Sequence, residues 1–303
     1  MSRPSRSGPS MSMTRFLVQH STTYRYSAEV AASQSTLHVR PRTTTWQTVL
    51  QSAVTSEPVA TDRDDFVDAF GNNTTYLAVE RPHDRFTVIA TSAVDVCPPD
   101  IPVHDVAWDD LAVQCRDATV PADVVAMSLP SMLAPAEEAL ADFARKSFPA
   151  RGGVVAGWRD LTERIFREFV FDPASTDVST PVLTVLDQRR GVCQDFAHLM
   201  VACLRSLGLP ARYVSGYIET DAPEGMSKLV GTDASHAWAA AFIPGFGWLD
   251  ADPTNGGPPV GRHITVAWGR DYADVAPSRG VVFGPPSTQD IDVAVDVTRV
   301  TTD

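Results

Sequence analysis

Three short segments carry residue types from which nucleophilic catalysis is built. Gly191-Val192-Cys193-Gln194-Asp195 puts a cysteine directly after a glycine turn, at the head of an apolar helical run through Phe196, Leu199, Met200, Val201 and Leu204. The unpaired N–H groups and positive dipole end of a helix N-terminus favour thiolate over thiol at such a place. Ser235-His236-Ala237-Trp238 supplies an imidazole, which can hold a thiolate as an ion pair and later protonate a leaving amine. Trp248-Leu249-Asp250-Ala251-Asp252-Pro253-Thr254-Asn255 supplies carboxylates able to orient that imidazole and fix its tautomer. Asp250 and Asp252 share strand parity, so spacing does not choose between them.

Each signal taken singly has an ordinary explanation. A cysteine in an apolar helix is usually a small core residue, and Cys203, mid-helix between Ala202 and Leu204, reads that way. A lone strand histidine is more often a satisfied core residue, and Asp252 before Pro253 suits a turn. Asp195 and His198 lie roughly 200° and 140° around the helix axis from Cys193, which favours structural roles for both. Gln194, Tyr213, Tyr217 and Trp238 are the candidates for a substrate-binding wall. Core packing explains the two tyrosines as well, and hairpin packing explains Trp238 and Trp248. His20, His38 and His83 show no partner in the sequence.

The elements that must position these groups fall into two parts. Residues 15–96 read as β, because Phe16, Val18, Thr22, Tyr24 and Tyr26 share one parity and similar alternating runs recur at 37–40, 46–54, 75–80 and 86–93. Their short spacing suggests an antiparallel sandwich or barrel-like domain. Helices are expected at 136–148, at 157–170 (with Leu161, Ile165, Phe166 and Phe169 on one stripe), at 181–190 and at 193–207, the last stopped by Gly208-Leu209-Pro210. Strands follow at 211–219, 234–243 and 248–252. If Trp238 pairs with Asp252 across the hairpin, His236 and Asp252 become diagonal neighbours about 7–8 Å apart at Cα. The competing register, Ile243 with Trp248, sends Asp252 to the opposite face. Pro244 near the turn favours the first. The expected organisation is a disordered tail at 1–13, with Met11 and Met13 as alternative starts, a β-rich domain at 14–98, an irregular linker at 99–134 and an α+β core at 135–303.

Composition removes several classes of function. The 303 residues carry a net charge of −12, and no basic stripe exists to neutralise phosphates, so nucleic acid is an unsuitable partner. No run of about 18 apolar residues could span a membrane, and no apolar segment follows Arg3 and Arg6 as a secretory signal requires. Cys97, Cys115, Cys193 and Cys203 are too scattered for a disulfide framework or a zinc pattern, which leads to the expectation of a reducing, cytoplasmic setting. A Gly-x-Ser-x-Gly elbow is missing, which removes the common serine-hydrolase design.

Together these segments resemble the transglutaminase-like (papain-fold) superfamily, specifically bacterial members with a β-rich N-terminal region. The core similarity lies in residues 191–207 (GVCQDFAHLMVACLRSL), 208–216 (GLPARYVSG), 235–238 and 252–255 (DPTN). The N-terminal similarity lies in 16–26 (FLVQHSTTYRY), 37–42 (LHVRPR), Phe70-Gly71-Asn72 and Pro82-His83. The resemblance implies Cys193 as nucleophile, His236 as acid/base and Asp252 as orienter. It further implies acyl transfer from a glutamine-type side-chain amide, or a related peptide or isopeptide bond, in a protein or peptide. The thioester would be resolved by a primary amine or by water, and the Cys193 N–H would donate to the oxyanion. Animal enzymes of the superfamily use calcium; no loop here resembles their ion sites, so neither metal nor cofactor is expected. The rival reading is a non-catalytic peptide-binding scaffold on the same fold.

Overall fold

A computed structural model describes residues 13–97, 100–102, 104–220, 234–259, 261–285 and 288–300; apart from Met13, the expected tail lies outside them. The protein is α+β. Six strands come first: β1 (Thr14–Val30), β2 (Ala32–Leu37), β3 (Gln47–Glu57), β4 (Asp62–Val67), β5 (Asn73–Val79) and β6 (His83–Val96). Helices α1 (Trp108–Arg116), α2 (Ala122–Ala126), α3 (Glu138–Arg145) and α4 (Val154–Glu168) follow, so the stretch expected to be irregular holds two short helices. Then come β7 (Val170–Phe171), α5 (Val182–Gln188), β8 (Arg190–Gly191) and α6 (Cys193–Ser206). The chain ends with β9 (Ala211–Ile218), β10 (Ala234–Ile243), β11 (Gly247–Ala251), β12 (His263–Gly269), β13 (Ser278–Phe283) and β14 (Gln289–Val300).

Three four-stranded sheets result, ordered β14-β1-β6-β3, β13-β2-β5-β4 and β11-β10-β9-β12. The first two form the β-rich part, yet each takes its outermost strand from the far end of the chain. Residues 278–300, placed with the core by sequence position, therefore pair with β2 and β1 instead. The physical reason is burial: along β14, Val295 and Val297 share a parity and sink into the same core cluster as Phe16, Val18, Val94 and Val96. That cluster also contains the buried faces of α3, α4, α5 and α6, so one apolar core joins the two parts.

α6 is its axis. Every residue from Asp195 to Arg205 is buried, as expected of a helix apolar nearly all round. On β10, Ala237, Ala239 and Ala241 belong to the same core cluster, and their small side chains let the helix approach closely. Arg205, at the helix end, is buried without strain because Nε donates to the Met127 carbonyl at 2.9 Å and Nη2 to the Ala211 carbonyl at 2.8 Å. Of the stripe expected on α4, Leu161, Ile165 and Phe169 are buried, whereas Phe166 is half exposed. Its ring lies against Gly256 on the loop after β11.

The N-terminal part also completes the core sheet. Gln47 donates from Nε2 to the Thr265 carbonyl at 2.7 Å and accepts from the Thr265 N–H at 2.8 Å. Asn72 repeats this at Trp268, accepting its N–H and donating to its carbonyl, both at 2.9 Å. Two side-chain amides, joined by the Arg42 N–H that donates to the Thr265 carbonyl at 3.3 Å, thus satisfy the outer edge of β12. Arg42 stacks 3.2 Å above the Trp268 ring, and Arg212 covers that ring at 3.5 Å.

Candidate active site

Cys193 stands at the first position of α6, and its setting is built by Gly191 and Asp195. The Asp195 carboxylate accepts the Val192 N–H at 2.7 Å and the Thr176 hydroxyl at 2.6 Å, closing the helix start and tying the 172–180 stretch to it. A Cβ on Gly191 would lie 2.7 Å from Asp195 Oδ2, so only glycine permits this cap. Asp195 is therefore a positioning group on the far side of the helix from the sulfur. Burial, outweighing the hydrogen bonds it accepts, holds its carboxyl above the usual range.

The β10–β11 hairpin pairs Ala239 with Ala251 and Phe242 with Trp248, in phase with Trp238 opposite Asp252. His236 and Asp252 consequently meet: Nε2 donates to Oδ2 at 2.8 Å. Asp250, on the same face, is taken by the Trp238 indole N–H at 3.0 Å. The register and this indole settle which carboxylate serves His236. With Nε2 committed to Asp252, Nδ1 is the nitrogen left to face Cys193, which lines the same cavity. Burial alone would lower the His236 pKa. The hydrogen bonds and charges of Asp252 and Cys193 outweigh it and hold the imidazolium up to about 10.

Asp252 has a second imidazole that sequence reading missed. His263 Nε2 donates to the same Oδ2 at 2.8 Å, and Asn255 Nδ2 donates there at 2.6 Å. The Thr254 and Asn255 N–H groups bond to Oδ1 at 2.9 and 3.2 Å. Burial would raise this carboxyl, but the bonds and charges from His236 and His263 carry it far below the usual range. His263 Nδ1 is buried with no hydrogen-bond partner among the described residues. The only signal in the sequence was the alternation of His263, Thr265 and Ala267 with Ile264 and Val266. The donor atoms of His236, Asp252 and His263 lie within 4.8 Å of one another, close enough for a divalent cation. Both imidazoles already spend Nε2–H on Asp252, so a cation would have to displace those bonds.

Over Cys193 opens a cavity of ≈ 340 Å³. Of the four expected wall residues, Gln194 and Tyr213 line it. Tyr217 and Trp238 do not. Tyr217 is buried behind His20, its hydroxyl 2.8 Å from Nδ1 and donating to the Val39 carbonyl, while Trp238 packs with Val214 and Ala240 and turns its indole N–H to Asp250. Burial, then the charge of Cys193, keeps the Tyr213 phenol protonated well above its ordinary range. Its ring lies 4.6 Å from that of His198, which burial pushes down to about 4 and whose Nε2 accepts the Tyr272 N–H at 3.1 Å. Cys203 is buried, and its thiol is pushed up by burial. The cavity has walls that the motifs did not reveal: His20, Thr22 and Tyr24 from β1, Ile291 and Val293 from β14, and Tyr272.

An α+β fold with a cysteine heading its central helix, against an imidazole and carboxylate from the neighbouring sheet, defines the class. Comparison with known proteins agrees. Residues 152–253 match the model of the transglutaminase-like superfamily, and residues 16–95 match that of the bacterial transglutaminase-like N-terminal region. The chain belongs to the transglutaminase-like superfamily. The uncharacterized protein Rv2569c of Mycobacterium tuberculosis is 40% identical over 292 residues, covering 93% of this chain and 92% of that one. A protein-glutamine gamma-glutamyltransferase of Pseudomonas aeruginosa is 33% identical over 132 residues, 42% of this chain and 19% of that protein. Among solved structures, a candidate cysteine protease from Cytophaga hutchinsonii shares the fold with a TM-score of 0.75 at 23% identity, covering 96% of this chain and 92% of that chain.

Proposed function

We propose that the protein is a cysteine-dependent acyltransferase or amidohydrolase acting on an amide of a protein or peptide, in the reducing cytoplasmic setting that its cysteine spacing suggests. The observation that carries this is His236 held between Cys193 and Asp252 at the edge of an open cavity. The Cys193 thiolate attacks the amide carbon, and the negative charge that develops on oxygen meets the Cys193 backbone N–H in the first turn of α6. His236 gives its Nδ1 proton to the departing nitrogen, so ammonia or an amine leaves and a thioester remains.

Acylation also prepares the second half. Two of the influences that raise the His236 pKa come from Cys193. Once the sulfur is acylated its charge is gone, the imidazole becomes a weaker acid holder, and it can take a proton from water or an incoming amine. That nucleophile attacks the thioester, and the Cys193 thiolate is released. The glutamyl-transfer activity named for the Pseudomonas relative supports this chemistry. Labelling with an electrophile that mimics a glutamine amide should add one mass equivalent to the wild type and none to Cys193→Ala; equal labelling of both ends the proposal. Amine incorporation and ammonia release, followed side by side on one glutamine donor, separate transamidation from hydrolysis.

A further inference from the structure

On β14 the inward parity runs Ile291, Val293, Val295, Val297. Val295 and Val297 are buried in the common core, but Ile291 is 53% and Val293 50% exposed on the same face. The apolar stripe continues past the end of the core and overhangs the cavity at Cys193. The outward parity is already polar, with Asp290, Asp292 and Asp296, so solubility does not account for leaving the inner face uncovered. Across the β1–β14 ladder, Tyr24 stands opposite Ile291 and Thr22 opposite Val293, and all four side chains line the cavity.

This wall leads onward. A second cavity of ≈ 390 Å³ shares Tyr24, Ser278 and Ile291 with the first and runs out along β13 past Val281 and Val282. Among the described residues β13 and β14 are the outermost strands of their sheets, and the strip runs between them along the strand direction. We propose that this strip binds the donor polypeptide in extended form, with an apolar side chain next to the reacting amide seated against Tyr24, Ile291 and Val293. The inference rests on the amide-donor function above and assigns its substrate class: a polypeptide with an apolar residue flanking the donor, rather than a free small amide.

The test uses the full chain and two peptides that carry 6-diazo-5-oxonorleucine in place of glutamine, one flanked by Leu and one by Ser. Iodoacetamide, too small to reach the strip, reports whether the Cys193 sulfur is intact in each variant. The wild type should be labelled about tenfold faster by the Leu peptide, a discrimination typical of one apolar pocket. Ile291→Ser and Val293→Ser, both at half-exposed positions, should bring the ratio of the two rates towards one. Equal labelling by both peptides in the wild type, or a ratio unchanged in the variants, overturns the strip while leaving the amide function standing. Failure of both peptides on a protein that iodoacetamide labels at Cys193 overturns the amide function and the strip with it.

Discussion

Two imidazoles meet one carboxylate oxygen at Asp252, each through Nε2 at 2.8 Å, and that shared acceptor governs what single substitutions should do. Asp252→Asn removes the charge that does most to sustain the His236 imidazolium and leaves Cys193 alone to oppose burial. The His236 pKa should fall well below about 10, followed by NMR of the ring, and kcat/KM should drop on the order of 10³–10⁴. The same raised pKa has a stability consequence. Its contribution is complete below about pH 6.5 and is lost as pH rises through about 10, so alkaline destabilisation should be visible in the wild type and weaker in Asp252→Asn. His263→Ala deprives Asp252 of one donor at a cost of about 1–3 kcal/mol. Asp252 is a depressed carboxyl, whose contribution holds above its unfolded pKa and fades on acidification. In His263→Ala that acid loss should be smaller and end at a higher pH, so stability should fall less steeply towards low pH than in the wild type, which chemical unfolding across pH 2–5 would detect.

Among the elements, α6 depends on the geometry of its first turn more than on its length. Its apolar body is buried regardless of what happens at Val192, so the turn can be disturbed while the helix survives. Gly191→Ala puts a methyl group 2.7 Å from Asp195 Oδ2 and pushes the carboxylate off the Val192 N–H. A lost cap costs about 1 kcal/mol, a modest fall in thermal midpoint. Activity should fall much further, by tenfold or more, because Cys193 follows the displaced turn. Parallel measurement of melting and of kcat/KM checks this; equal proportional losses would show that Gly191 serves only stability. The hairpin obeys a related constraint. A one-residue slip would exchange Asp252 for a residue of the other face, and the pairing of Ala239 with Ala251 prevents it.

Over the whole molecule, the β-rich part is a structural member of the candidate site rather than an appendage. Gln47 and Asn72 finish the edge of β12, the strand that starts at His263, and β1 and β14 wall the cavity. Gln47→Ala strands the Thr265 N–H, while the Thr265 carbonyl keeps the Arg42 N–H, and should cost about 1–3 kcal/mol. Thermal unfolding of the intact chain should be a single calorimetric transition, since Phe16, Val94 and Val297 share a core with Leu199 and Ala239. A fragment spanning 100–277 should fail to give a cooperative transition; independent folding of that fragment would contradict the shared core.

Local order was written plainly in the chain. Parity along 16–26 foretold β1, the apolar run after Cys193 foretold α6, and the motifs around Cys193, His236 and Asp252 placed the chain in its family. These are signals of period and local chemistry, and they need no knowledge of distant residues. Four things lay beyond that reach. The physical reason for Asp252 over Asp250, which only the family resemblance had selected, lay in Trp238 occupying the latter. His263 joined the carboxylate from a strand with no motif of its own. Ile291 and Val293 became walls, and residues 278–300 returned to the first sheets, because antiparallel pairing can join chain ends more than 250 residues apart. Periodicity reports which face of an element is apolar, but which surface covers that face is set by packing, and packing exists only once the chain has closed on itself.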